Sequence, residues 1–145
     1  MYTFTLDVVP MPTTNRNMIV HPKGKRPMVI KTSKAKRWMD SAVFLIRGFM
    51  AQNGVKAIDC PVSLAIDVYR PTASGDIDNY AKGILDALQA SGMLTNDSLV
   101  NELTMRKHTD RRNPRYQITL TTLKNENARD LELERFPQSD EQYND

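Results

Sequence analysis

Two carboxylates one residue apart, Asp76 and Asp78, stand in the stretch SGDIDNYAKGILDAL, with Lys82 four residues after the second. In an extended segment, residues two apart project to the same side, so this pair can share a hard cation through oxygen ligands. The same acids also suit plainer work. Asp78 can cap the helix that follows, and Asp76 can sit in a loop stabilised by the positive end of that helix. Lys82 lies one helical turn beyond Asp78 and on the same face, outside the apolar stripe. Next to a metal site it would neutralise part of a carboxylate cluster or hold a phosphate oxygen. Asp86, four residues further on, offers it an ordinary salt bridge instead. A third acid, Asp97, sits in the turn-like LTNDS. The intervening helix is about 13 residues, or roughly 20 Å, and an extended segment of the length of Ser91 to Asn96 spans about that distance. Asp97 can therefore rejoin the pair, although turn chemistry alone accounts for Asn96-Asp97.

The elements that must position these residues can be read from periodicity. Tyr2, Phe4, Leu6 and Val8 alternate with Thr3, Thr5 and Asp7, the period of a half-buried strand, and Pro10 and Pro12 stop it. Asn17 to Val20 and Met28 to Ile30 flank HPKGKRP, which predicts a hairpin with a basic tip. From Thr32 or Ser33, either a good N-cap, Ala35, Trp38, Met39, Ala42, Leu45, Ile46, Phe49 and Met50 recur at helical spacing until Asn53-Gly54. Trp38 is expected in the core. Val62, Leu64, Ile66 and Val68 alternate with Ser63, Ala65, Asp67 and Tyr69 in a second strand that Arg70-Pro71 ends. A second helix follows from about Asp78 to Ala90, burying Tyr80, Ile84, Leu85 and Leu88, with Ser91-Gly92 as its exit. Leu99 to Met105 and Tyr116 to Leu123 read as two further strands. The expected architecture is α/β: a single compact domain with a mixed sheet and two main helices over residues 1–123. Residues 124–145 are polar and acidic, and read as a flexible tail in which a short helix around Ala128 to Phe136 fits.

Charge is unevenly shared. The chain of 145 residues has a net charge of +3, but residues 124–145 carry −4, leaving +7 on residues 1–123. An anionic partner for the body is the natural inference. Arg16, Lys23, Lys25, Arg26, Lys31, Lys34, Lys36 and Arg37 come without a carboxylate before Asp40, and Arg106, Lys107, Arg111, Arg112 and Arg115 form a second group. Charge runs are commonly just solvated surface, so the two clusters alone leave nucleic-acid binding open. Cys60 is the lone cysteine, which excludes an intramolecular disulfide, and its place before Pro61 suggests burial. His21 and His108 lie in polar segments, away from any ligand spacing, and read as solvated. No apolar run approaches the roughly 18 residues of a membrane span and the N-terminus lacks signal-peptide character, so a cytoplasmic protein is expected.

The stretch GDIDNYAKGILDALQASGMLTNDSLV resembles the central motif of the RusA family of Holliday junction resolvases: DxDN, a lysine four residues after the second aspartate, ILDAL, then an aspartate before the next strand. The first strand followed by PMPTTNR is similar to the family's opening strand and its proline-then-asparagine segment, with Asn15 in the asparagine's place. The likeness covers roughly residues 3 to 122. It implies three catalytic, metal-binding aspartates at Asp76, Asp78 and Asp97, and an essential lysine at Lys82. It further implies a magnesium-dependent endonuclease, with manganese able to substitute, that acts as a homodimer on four-way DNA junctions and is often encoded by phage or prophage. The basic hairpin and first helix would then hold the DNA arms. Three departures stand out. The loop before Asp76 is PTASG where relatives are often basic, leaving Arg70 nearby; Asn96-Asp97 replaces a pair of adjacent acids; and the acidic tail has no counterpart. The DNA-facing set expected from the basic residues is Arg16, Lys23, Lys25, Arg26, Lys31, Lys34, Lys36, Arg37, Arg70 and Lys107. The competing readings are a branched-DNA-binding protein without chemistry, a structure-selective nuclease without junction preference, and a DxD nucleotide-sugar site, for which the chain is short.

Overall fold

The computed structural model describes residues 1–12 and 17–123. The tail at 124–145, its expected helix, and Asn15 and Arg16 lie outside the described residues. The elements run β1 (Tyr2–Leu6), β2 (Asn17–Val20), β3 (Met28–Lys31), α1 (Ser33–Asn53), β4 (Val62–Arg70), a 3-10 turn (Ile77–Tyr80), α2 (Ala81–Ala90), a second 3-10 turn (Asp97–Leu99), β5 (Val100–Thr109) and β6 (Arg115–Thr122). The α/β class with a mixed sheet and two helices is as expected.

The main sheet has the order β1-β6-β4-β5. β6 pairs antiparallel with both β1 and β4, while β4 and β5 are parallel, so α2 serves as the crossover between them. Alternation along β4 is complete: Val62, Leu64, Ile66, Val68 and Arg70 are buried, and the residues between them are half-buried on the other face. Tyr116, Ile118 and Leu120 of β6 and Phe4 and Leu6 of β1 join the same buried layer. The opposite face is polar, with Thr3, Thr5 and Gln117 exposed.

α1 begins where its cap predicts, the Thr32 hydroxyl accepting from the Ala35 amide at 3.1 Å, and ends at Gly54. Such a cap contributes about 1 kcal/mol. Ala35, Trp38, Ala42 and Ile46 are its fully buried residues, and Phe49 stacks on Phe4 with ring centroids 4.7 Å apart. Trp38 is a core residue, as expected. Its indole N–H donates to the Val9 carbonyl at 2.9 Å and its edge meets Tyr116.

α2 is shorter than the predicted span. Residues 77–80 form a 3-10 turn and the α-helix starts at Ala81. Gly83 sits inside it at a cost of about 1 kcal/mol relative to alanine. The reason is Trp38: a β-carbon at Gly83 would lie 3.1 Å from the indole. The glycine lets α2 lie close against α1, and that approach fixes the helix that carries Lys82. Among the described residues, no helix is long and apolar enough to cross a membrane.

Candidate active site

β4 delivers the chain to the site. Its last residue, Arg70, is 3% exposed, and its Nη1 donates to the carbonyl oxygens of Ser74 and, at 3.0 Å, Gly75. The loop can turn this way because Gly75 has φ +100, a conformation open to glycine at little cost. Tyr80, buried behind the loop, packs on the Gly75 α-carbon, and its hydroxyl donates to the Ser74 carbonyl at 3.4 Å. Asp76 follows in an extended conformation, then the 3-10 turn that contains Asp78.

Both acids are exposed. Asp76 occupies the capping position of the 3-10 turn, yet its side chain makes no capping bond; the position before α2 is Tyr80, not Asp78. The capping reading of the pair therefore fails locally. The turn is instead closed through main-chain bonds, the Asn79 amide donating to the Asp76 carbonyl at 3.2 Å and the Ala81 amide to the Asp78 carbonyl.

Asp97 shows the same division of labour. The cap of its 3-10 turn is Asn96, whose side chain accepts from the Ser98 amide at 2.9 Å. The Asp97 amide donates to Gln89 Oε1 at 2.9 Å, which ties the turn to the end of α2 and leaves the carboxylate free of capping work. That carboxylate meets Lys82, with Nζ 3.8 Å from Oδ2, while the same Nζ lies 3.1 Å from Asp86 Oδ1. Lys82 thus makes the expected salt bridge with Asp86 and also reaches the third motif acid.

The donor set fits a hard divalent cation in kind: all three aspartates offer carboxylate oxygens, and Asp76 and Asp78 have no hydrogen-bond or ion-pair partner for their side chains among the described residues. They are not drawn into a closed cage. Among the described residues no three His, Cys, Asp or Glu side chains are gathered so as to hold a metal ion.

Of the basic residues, Lys23, Lys25, Arg26 and Lys31 on the hairpin and Lys34, Lys36 and Arg37 on the first turns of α1 are all exposed. Lys107 is exposed too, but its Nζ donates to the Gly75 carbonyl at 3.3 Å, beside the acidic loop. Arg70 corrects the expectation of a DNA-facing side chain. Alternation along β4 turns it to the helix-covered face, so its guanidinium serves the loop from beneath. Cys60 is half-buried and unpaired.

His108 also departs from the solvated reading. Its Nε2 lies 2.8 Å from Asp67 Oδ1, and its ring stacks on Tyr69 with centroids 4.6 Å apart. Arg115 covers the Tyr69 ring at 3.8 Å and pairs with Asp110 at 2.9 Å. Arg106 donates to Asp67 at 3.0 Å; this bond, with help from His108, holds the Asp67 carboxyl below its ordinary range against the opposing effect of burial. The Arg115 bond likewise lowers Asp110. The signal for the Asp67 cluster lies in the parallel register, which sets Asp67 opposite Arg106 and Tyr69 opposite His108. That register is invisible until the strands are paired.

Comparison with known proteins identifies the family of the chain. Residues 7–121 match the family described as Endodeoxyribonuclease RusA. Among curated proteins, the Crossover junction endodeoxyribonuclease RusA of Aquifex aeolicus (strain VF5) is 32% identical over 99 residues, covering 68% of this chain and 73% of the relative. A family match over residues 7–121, most of the chain, shows that the chain belongs to the RusA family of endodeoxyribonucleases.

Proposed function

We propose that this chain is a Holliday junction resolvase: a homodimeric, divalent-metal-dependent endodeoxyribonuclease that cuts four-way DNA junctions in paired, symmetric strands. The observation that carries the reading is the release of its acids from structural work. Asp76 stands at a cap position without capping, and Asn96 caps the turn that holds Asp97. A chain that used these acids only as caps and turns would show them bonded to main-chain amides.

Asp76, Asp78 and Asp97 would hold the ion, magnesium with manganese able to substitute. When bound, such an ion supplies an activated water and stabilises the leaving oxygen. Lys82 offers its ammonium to a phosphate oxygen, an electrostatic role suited to a side chain that is 55% exposed beside Asp97. Asp86 holds that ammonium over the turn of α2 on which it starts. The cations of the hairpin and of α1 would track the DNA backbone, where they set orientation without reading sequence. Two related strand cuts call for two related sites, which a twofold dimer supplies. The name of the Aquifex relative supports the junction as substrate.

The test is strand cleavage of a synthetic four-way junction and a matched linear duplex, with magnesium, with chelator, and with Asp76→Asn protein. Paired nicks on the junction alone, lost with chelator and with the variant, are expected. Binding without cutting under every divalent ion tried would leave a DNA-binding protein in place of an enzyme.

A further inference from the structure

Arg70 is a buried cation with an unusual set of partners. A guanidinium does not shed its proton in a protein, and burying it is costly unless its donors are satisfied. Among the described residues no carboxylate is paired with it. Its acceptors are the main-chain carbonyls of Ser74 and Gly75, the Tyr80 ring lies 5.7 Å away, and Nε has no acceptor. An exposed surface loop has no need of such an arrangement for its own stability, since water would satisfy both carbonyls. The Gly75 carbonyl takes a second cationic donor as well, Lys107.

We propose that Arg70 is a positioning residue for Asp76, acting through the Ser74–Gly75 main chain. The inference rests on the reading of Asp76 as a metal-binding acid. Two carbonyls turned toward one guanidinium fix the peptide planes on either side of Gly75. That orientation, with φ +100 at Gly75 and extended backbone at Asp76, sets where the carboxylate leaves the chain. Tyr80 adds a second donor to the clamp. A β-carbon at Gly75 would fall 2.7 Å from its hydroxyl oxygen, and that hydroxyl donates to the Ser74 carbonyl. The base of the clamp is itself tied down, the Arg70 carbonyl accepting from the Asp110 amide at 2.8 Å. The loop thus presents Asp76 from a rigid strand end, where a loop of sequence PTASG would otherwise sample many conformations.

The experiment compares wild type with Arg70→Met, Gly75→Ala, Tyr80→Phe and the Gly75→Ala/Tyr80→Phe double variant in three measurements. These are amide hydrogen exchange, single-turnover cleavage of a four-way junction across a magnesium titration, and junction affinity in chelator. For Arg70→Met, exchange of the Asn79 and Ala81 amides, which are bonded within the turn that follows the clamped loop, should quicken by about tenfold or more while Ile66 and Leu88 keep their protection. The cleavage rate should fall by about tenfold or more with half-saturation moved to higher magnesium, and affinity should stay within about twofold. Gly75→Ala should behave likewise, through its φ of +100 as well as the Tyr80 contact, and the double variant should regain only the part due to the hydroxyl at 2.7 Å. If Arg70→Met destroys the fold, Arg70→Lys, which keeps the charge but loses the fork of donors, carries the test in its place. Unchanged exchange of the Asn79 and Ala81 amides would overturn the clamp whatever the cleavage rate. Faster exchange with unchanged cleavage, or equal loss of binding and cleavage, would overturn the positioning role. A wild type that cuts no junction would overturn the resolvase reading instead, and the exchange data would still decide whether the clamp exists.

Discussion

Lys82 reaches Asp97 across the turn that precedes β5, its Nζ 3.8 Å from Oδ2, while holding Asp86 at 3.1 Å. An exposed pair of this kind contributes at most about 1 kcal/mol, so stability does not explain why the lysine is shared between two acids. Its position at the head of α2, on the face that follows Asp78, does. Lys82→Gln is expected to lower junction cleavage on the order of 100-fold, the scale of losing one electrostatic stabiliser of a developing charge. Thermal stability should barely move. Asp86→Asn, which removes the nearer salt bridge and leaves Asp97, should cleave within a few-fold of wild type. Equal losses for both variants would make the lysine a structural residue.

Asp76→Asn and Asp97→Asn should separate binding from chemistry. Neither carboxylate caps a turn, and the Asp97–Lys82 pair at 3.8 Å is too exposed to contribute much, so the fold should survive both changes. Cleavage should fall by about 100-fold or more in each, since an amide is a poor ligand for a hard cation. Gel-shift affinity for the junction in chelator should be retained or improved, because a negative charge facing phosphate has been removed. Loss of affinity in step with cleavage would return the acids to a structural role.

Most of the scaffold was legible because it is written in periodicity. The alternation of Val62 to Val68 and the helical recurrence from Ala35 to Met50 each bury one face. Lys82 and the three aspartates were legible as a motif. The start of α2 was not, because a 3-10 turn over residues 77–80 spaces side chains almost as a helix does. Arg70 was misjudged for a related reason: a charged residue at a strand end reads as exposed, and only its even step from Val68 puts it on the buried face. The Asp67–His108 contact joins residues 41 apart in sequence, which local patterns do not link.

Asp67 gives a pH dependence with a definite sign. Its carboxyl is held below the ordinary range, first by the Arg106 hydrogen bond and then by His108, so its stabilisation is present above its unfolded value, near 3.8. As pH falls through the lower folded value the carboxylate is protonated and the contribution is lost. Denaturant melts of wild type and Asp67→Asn should therefore differ at pH 7, by no more than about 1 kcal/mol for so accessible a pair. The difference should close progressively below about pH 4. A gap that persists at pH 2 would assign the effect to packing of Asp67 rather than to its charge.

The basic surface makes its own prediction through salt. Lys34, Lys36 and Arg37 are exposed on the first turns of α1, as are the hairpin cations Lys25, Arg26 and Lys31. If these side chains neutralise phosphates, each bound one releases condensed counterion, and the slope of log affinity against log salt changes by about 0.9 per contact. The triple change Lys34→Gln, Lys36→Gln and Arg37→Gln should lower that slope by about 2 to 3 and weaken junction binding most at low salt. Single-turnover cleavage at saturating protein should stay close to wild type, since none of the three touches the acidic group in the structure. Lys107 is the informative contrast. Its ammonium, although exposed, donates to the Gly75 carbonyl, so Lys107→Gln should shift the slope by less than one contact and act mainly on the cleavage rate.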